Sequence, residues 1–123
     1  AITAADDDLT GGVDAPPGVE HCLGLLTPRL ETGVDALPSD VDRSGAINRL
    51  VEYNVDRQVD ILSESDDVPS DVDVVGCVYD FQDVYPGRRG EIHVVNVDGE
   101  RRVETLRAHH PDIEDRIHRL WEY

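Results

Sequence analysis

Lysine is absent from this chain: all 11 basic residues are arginine. Methionine is absent too, so the sequence does not open on a start codon. A processed N-terminus, or a piece of a longer chain, is the expectation. Cysteine is scarce. Cys22 and Cys77 lie far apart, each among apolar neighbours. Two buried free thiols are expected there rather than a disulfide. Long apolar runs are missing, and nothing approaches the roughly 20 residues of a membrane span. No signal peptide is visible. Clustered cations are missing as well. The tightest groups are Arg88–Arg89 and Arg101–Arg102, too few to hold a phosphate backbone, so nucleic acid is excluded as a partner.

What the chain has in excess is carboxylate. Asp and Glu total 27 of 123 residues and the formal net charge is −16. Apolar residues still make up 39% and recur periodically, which argues against an acidic disordered tail. Two explanations remain: a basic partner, or adaptation to high salt. In salt a dense carboxylate surface stays hydrated, and its self-repulsion is screened over about 3 Å at about 1 M. The acids are spread along the chain (Asp6–Asp8, Asp40, Asp42, Asp56, Asp60, Asp66, Asp67, Asp71, Asp73) rather than gathered in one block. That spread, with arginine wholly replacing lysine, favours a salt-loving organism and its cytoplasm. The length suits one domain with a modest core.

The pattern predicts helix, helix, strand, strand, helix. Ala1–Ala5 is a short apolar stretch broken by Asp6–Asp8, and Thr10–Gly18 reads as a loop. Val19, Leu23, Leu26 and Leu30 have helical spacing over Val19–Glu31, with Pro28 expected to kink or divide that helix. Gly33–Ser39 is a linker, and Ser39 or Asp40 can cap the next helix. That helix, centred on Ala46–Asp60, is the strongest element. It sets Ile47, Leu50, Val51, Val55, Ile61 and Leu62 on one face, with Asn54 and Gln58 on or beside the stripe. Val72–Phe81 is β-branched and nearly uninterrupted, as strands covered on both faces are. Gly76 in its middle marks a close approach. Glu91–Val97 alternates as a second strand, pairing antiparallel with the first. Asp98–Gly99 is a turn. Val103–Ala108 is helical, and Pro111 opens a last helix over Asp112–Glu122, with Ile113, Ile117, Leu120 and Trp121 on its apolar side. An interior strand needs neighbours. Two strands alone are marginal, so more sheet is expected outside this chain or on another subunit.

The text of Ile47–Val59, INRLVEYNVDRQV, followed by Val74–Phe81, VVGCVYDF, resembles the C-terminal part of the β-class carbonic anhydrases. Glu91–Val97 looks like that family's edge strand, and the likeness covers about Ala1 to Val97. Ala1–Ala5 looks like the apolar text that follows the family's H-x-x-C-G zinc-binding stretch. The resemblance therefore implies an α/β fold: 1–123 as one portion of a larger domain, its parallel strands largely upstream. It implies zinc held by two Cys and one His, and reversible hydration of carbon dioxide to bicarbonate by the complete protein. This chain would supply scaffold and contacts for a homodimer or larger homo-oligomer. The Cys-x-Asp-x-Arg stretch and H-x-x-C have no counterpart here, so no catalytic, cofactor-binding or metal residue is assigned to this chain.

The remaining chemistry-bearing residues suggest no site. His21–Cys22 lacks the spacing of H-x-x-C, His109–His110 sits near the last helix, and Cys77 is mid-strand. Three convergent ligands with an open fourth position are not in prospect. His93, His109, His110 and His118 are expected to be solvated. Asn54 and Gln58 are expected to satisfy backbone groups at a helix–helix or subunit contact, Tyr79 and Asp80 are the other polar residues of the family-like text, and Asp80 could be one surface acid among many. No nucleophile motif or Gly-rich phosphate loop occurs. Two rivals to the enzyme stay open: a non-catalytic relative acting as a binding or assembly module, and an acidic interaction domain for a basic partner.

Overall fold

The structure, a computed structural model, describes residues 16–123. The expectations for Ala1–Ala5, Asp6–Asp8 and the loop up to residue 15 lie outside the described residues. So do those for the Leu23 and Leu26 side chains. The order is α1 (Pro17–Ala36), α2 (Arg43–Ser63), β1 (Val75–Tyr79), β2 (Ile92–Val97) and α3 (Val103–His109), then a 3-10 segment, Pro111–Arg116. The fold is mixed α/β, with a two-stranded antiparallel sheet. No described helix is long and apolar enough to cross a membrane. Two compact units divide between Asn54 and Val55, within α2.

In the first unit α1 opens on Pro17, where a fixed φ and a missing N–H cost nothing. The helix is longer than the sequence suggests. It runs through Pro28 without ending and takes in Gly33. Gly33 earns its place there: a Cβ would stand 2.7 Å from Tyr53 Cδ1 and 2.9 Å from Leu50 Cδ2. α2 is capped by Asp42, not Ser39 or Asp40. The Gly45 amide donates to Asp42 Oδ1 at 2.8 Å. Its stripe also differs from the expected one. Leu50, Glu52, Tyr53, Asp56 and Val59 are buried, whereas Val51, Ile61 and Leu62 are exposed.

The second unit is built on the hairpin. Val75 faces Val97, Gly76 faces Asn96, then Cys77 faces Val94 and Tyr79 faces Ile92. Val95 is therefore an extra residue on β2, a bulge that breaks the alternation. Both faces of β2 are covered, so His93–Val97 is buried without interruption. Val94 and Val97 pack with Leu106 and Ile117, while Val78 and Val95 pack with Tyr85, Val55 and Leu120. At Gly76 the helix lies close: a Cβ would meet Val55 Cγ1 at 2.6 Å and Val59 Cγ2 at 2.9 Å. Asp98 and Gly99 both have positive φ, 52° and 88°, as the Asp-Gly turn requires.

Two expectations need correction. Val72–Phe81 is not covered on both faces. Only Val75–Tyr79 is strand, and its burial alternates. Among the described residues β1 pairs with β2 alone, and its alternate side chains meet solvent: Val75 is 51% exposed, Tyr79 58% and, opposite it, Ile92 56%. The helix expected over Asp112–Glu122 does not form. After the 3-10 segment the chain runs extended, and Ile117 makes a parallel bridge to Val94. The Arg107 guanidinium explains this. Its Nε–H and Nη2–H donate to the Ile117 carbonyl at 3.1 and 2.7 Å, taking that oxygen from any helical bond.

Candidate functional site

Two polar clusters lie inside the second unit, and both tie the segment after Arg116 to the rest. The first centres on Asp56. Spacing explains its burial: it stands three residues after Tyr53 and three before Val59, on the inner face of α2. Arg119 grips it with a fork, Nη1–H to Oδ1 at 3.0 Å and Nη2–H to Oδ2 at 2.8 Å. The two side chains are 1% and 0% exposed. Asn96 Nδ2–H donates to Oδ1 at 2.7 Å, and the Tyr123 hydroxyl donates to Oδ2. Burial, with that hydrogen bond, pushes the Tyr123 phenol well above its usual range. Arg119 also donates to the carbonyls of Val95 at 2.7 Å and Trp121 at 3.2 Å. Each oxygen of Asp56 thus takes two donors, which fills a carboxylate's acceptor sites. Such a group has nothing left to offer a substrate. Its chemistry here is cohesion.

The second cluster holds titratable groups in less saturated positions. Asp80 closes the loop between the strands, accepting the amides of Val84 and Tyr85 at 3.1 Å each. Burial pushes its carboxyl up, but those amides, with that of Asp83 and the nearby His93, outweigh this and hold it below the usual value. His93 is fully buried, stacked on Tyr85 with ring centroids 4.7 Å apart. Its Nδ1 lies 3.1 Å from Nδ1 of His118, whose ring meets it edge-on at 5.1 Å. His93 Nε2 is buried without a hydrogen-bond partner among the described residues. Burial lowers both imidazoles below their ordinary value, and His93 further lowers His118. Glu91 joins the cluster. The Arg88 amide and the Arg116 guanidinium, the latter at 2.8 Å, hold its carboxyl low.

These placements correct several expectations. His93 is buried and His118 half-buried, not solvated, because each packs against the other. Asp80 is an interior loop anchor rather than a surface acid. Asn54 Oδ1 is buried with no hydrogen-bond partner among the described residues, so it does not satisfy a backbone group there. Gln58 is half-buried and Tyr79 exposed. Cys22 and Cys77 are free, as expected, but both exposed. His21 and His109 are exposed, and His110 ends α3.

The zinc ion that the family resemblance implies does not fit the residues present. Among the described residues no group of three or more His, Cys, Asp or Glu side chains is placed to hold a metal ion. His93 and His118 spend their facing nitrogens on each other. Comparison with known proteins adds nothing to this picture: no family model, no curated protein and no solved structure matches the chain.

Proposed function

We propose that this chain is the C-terminal part of a β-class carbonic-anhydrase-like domain, supplying scaffold and subunit contacts. The complete protein would carry out the zinc-dependent, reversible hydration of carbon dioxide in the cytoplasm of a salt-loving organism. One observation supports this best: an open sheet edge. Among the described residues β1 pairs with β2 alone, and the side chains of Val75 and Tyr79, with Ile92 beside them, are exposed. A two-stranded sheet is marginal alone, and an open apolar edge invites further strands. Parallel strands laid along β1, with helices over that face, would bury it. The family whose text Ile47–Val59 and Val74–Phe81 resemble has such a sheet. Zinc, when bound, would generate a hydroxide nucleophile, and its ligands would come from sequence outside this chain. The residues described here carry and brace.

The test compares two proteins: the 123-residue chain, and the product of the same gene with its upstream sequence. Zinc content and stopped-flow carbon dioxide hydration are measured on both. The longer protein is expected to hold one zinc per subunit, hydrate carbon dioxide and form a homodimer or larger homo-oligomer. The short chain is expected to do neither chemistry. A longer protein free of zinc and inactive would make this a binding or assembly module. Hydration by the short chain would overturn the proposal outright.

A further inference from the structure

Two imidazoles that face each other through the same nitrogen can share one proton and no more. At 3.1 Å, one Nδ1 must donate and the other accept. The unpartnered Nε2 of His93 decides which. A buried bare N–H is costlier to leave than a buried bare lone pair, so the His93 proton sits on Nδ1 and His118 accepts. A proton added to His118 turns its Nδ1 into a donor. His93 must then move its own proton to Nε2, where nothing accepts it. A second proton leaves two donors face to face. Neither charged state suits the closed arrangement.

His118 lies in the segment that this contact helps to hold. Ile117 bridges to Val94, Arg119 forks Asp56, and Trp121 is buried. We propose that the His93–His118 pair is a proton-operated latch on Ile117–Tyr123, and that proton uptake frees this segment from β2. The charged groups acting on the pair come from every side. Asp80 and Glu91, flanking the paired strands, favour a cation at His93 and Arg116 opposes it. Arg107 of α3 and Arg116 oppose one at His118, and Asp115 favours it. Burial prevails in both, so each imidazole titrates below its ordinary 6.5 when closed. The sign follows. The freed segment takes up protons once the pH falls below about 6.5, while the closed one resists. The latch therefore holds fully above about 6.5 and weakens as pH falls toward the lowered values. For each extra proton the open form binds, its ratio to the closed form rises up to about tenfold per pH unit.

Trp121 is the single tryptophan of the sequence, so it reports on the segment alone. Its fluorescence and acrylamide quenching are followed from pH 8 to 5.5 at fixed high salt, where long-range repulsion is screened. Quenching is expected to rise sigmoidally in the unmodified protein and to rise less, and less steeply, in His118→Gln, which leaves His93 as the one titrating imidazole of the pair. A flat profile in the unmodified protein overturns the latch, as does an equal rise in His118→Gln. The second measurement needs no variant. Nitrogen-detected NMR titration of the unmodified protein should show both imidazoles titrating below 6.5, in step with Trp121. Independent titration of both at the ordinary value overturns the proposal.

Discussion

At the scale of single residues, Asp56 and Arg119 decide most. Both are buried and fully bonded, so the pair adds little by itself, because desolvation offsets most of the attraction. Breaking it is another matter. Asp56→Asn keeps the volume but strands a buried guanidinium, and should cost about 3–5 kcal/mol. Urea unfolding checks this, and a loss below about 1 kcal/mol would show the site to be wet. Asp56→Leu combined with Arg119→Met should recover only part of that loss: it leaves no buried charge, but it strands Asn96 Nδ2, the Tyr123 hydroxyl and the Val95 carbonyl. Little of this was legible beforehand. In the sequence Asp56 is one of 27 acids, whereas Asn54 and Gln58 stand out as uncharged polar residues in an apolar stripe. Spacing did hold the clue, since Tyr53, Asp56 and Val59 share one helical face. His93 hides its burial for a related reason: it reads as polar in EIHVVNV, although every residue after Ile92 in that strand is buried.

At the scale of elements, the sequence specifies structure where the cause is local. Both strands, their antiparallel pairing, the Asp-Gly turn and the close approach at Gly76 all follow from residue type and order. Gly76 offers a direct check. Gly76→Val would drive methyl groups into Val55 and Val59, backed by the fixed helix. It should cost at or beyond the upper end of about 1–3 kcal/mol. Gly99→Ala would strain only a solvent-side turn with φ of 88°, at about 1 kcal/mol. Equal thermal shifts for the two variants would mean that helix and strand are not in contact there. The last helix failed because its cause is distant. Ile113, Ile117, Leu120 and Trp121 have helical spacing, but Arg107 and Val94 claim the backbone at Ile117. Tertiary bonds override propensity in so short a stretch. The strand predicted as interior pairs with β2 alone among the described residues and buries only alternate side chains, because a β-branched run shows strand propensity but not what packs over it.

For the molecule as a whole, charge sets the terms. A net −16 repels itself, and raising salt from about 0.1 M to about 1 M shortens the screening length from about 10 Å to about 3 Å. The same salt weakens the surface pairs Arg57–Asp60, Arg102–Glu100 and Arg116–Glu91. Such pairs contribute little each, whereas the repulsion acts over the whole surface. The midpoint of thermal unfolding should therefore climb with sodium or potassium chloride. A midpoint that falls would instead favour a surface built for a basic partner, whose binding salt would weaken.

The distance along the chain between Asp56 and its partners has a bearing on synthesis. Asn96, Arg119 and Tyr123 follow it by 40, 63 and 67 residues. A ribosome releases the acid long before the groups that neutralise it. Until Arg119 and Tyr123 emerge, the nascent helix must keep that carboxylate in water, so its inner face stays open. Closure waits on those distant groups, and a product stopped before Arg119 would be left with a helix it cannot seat.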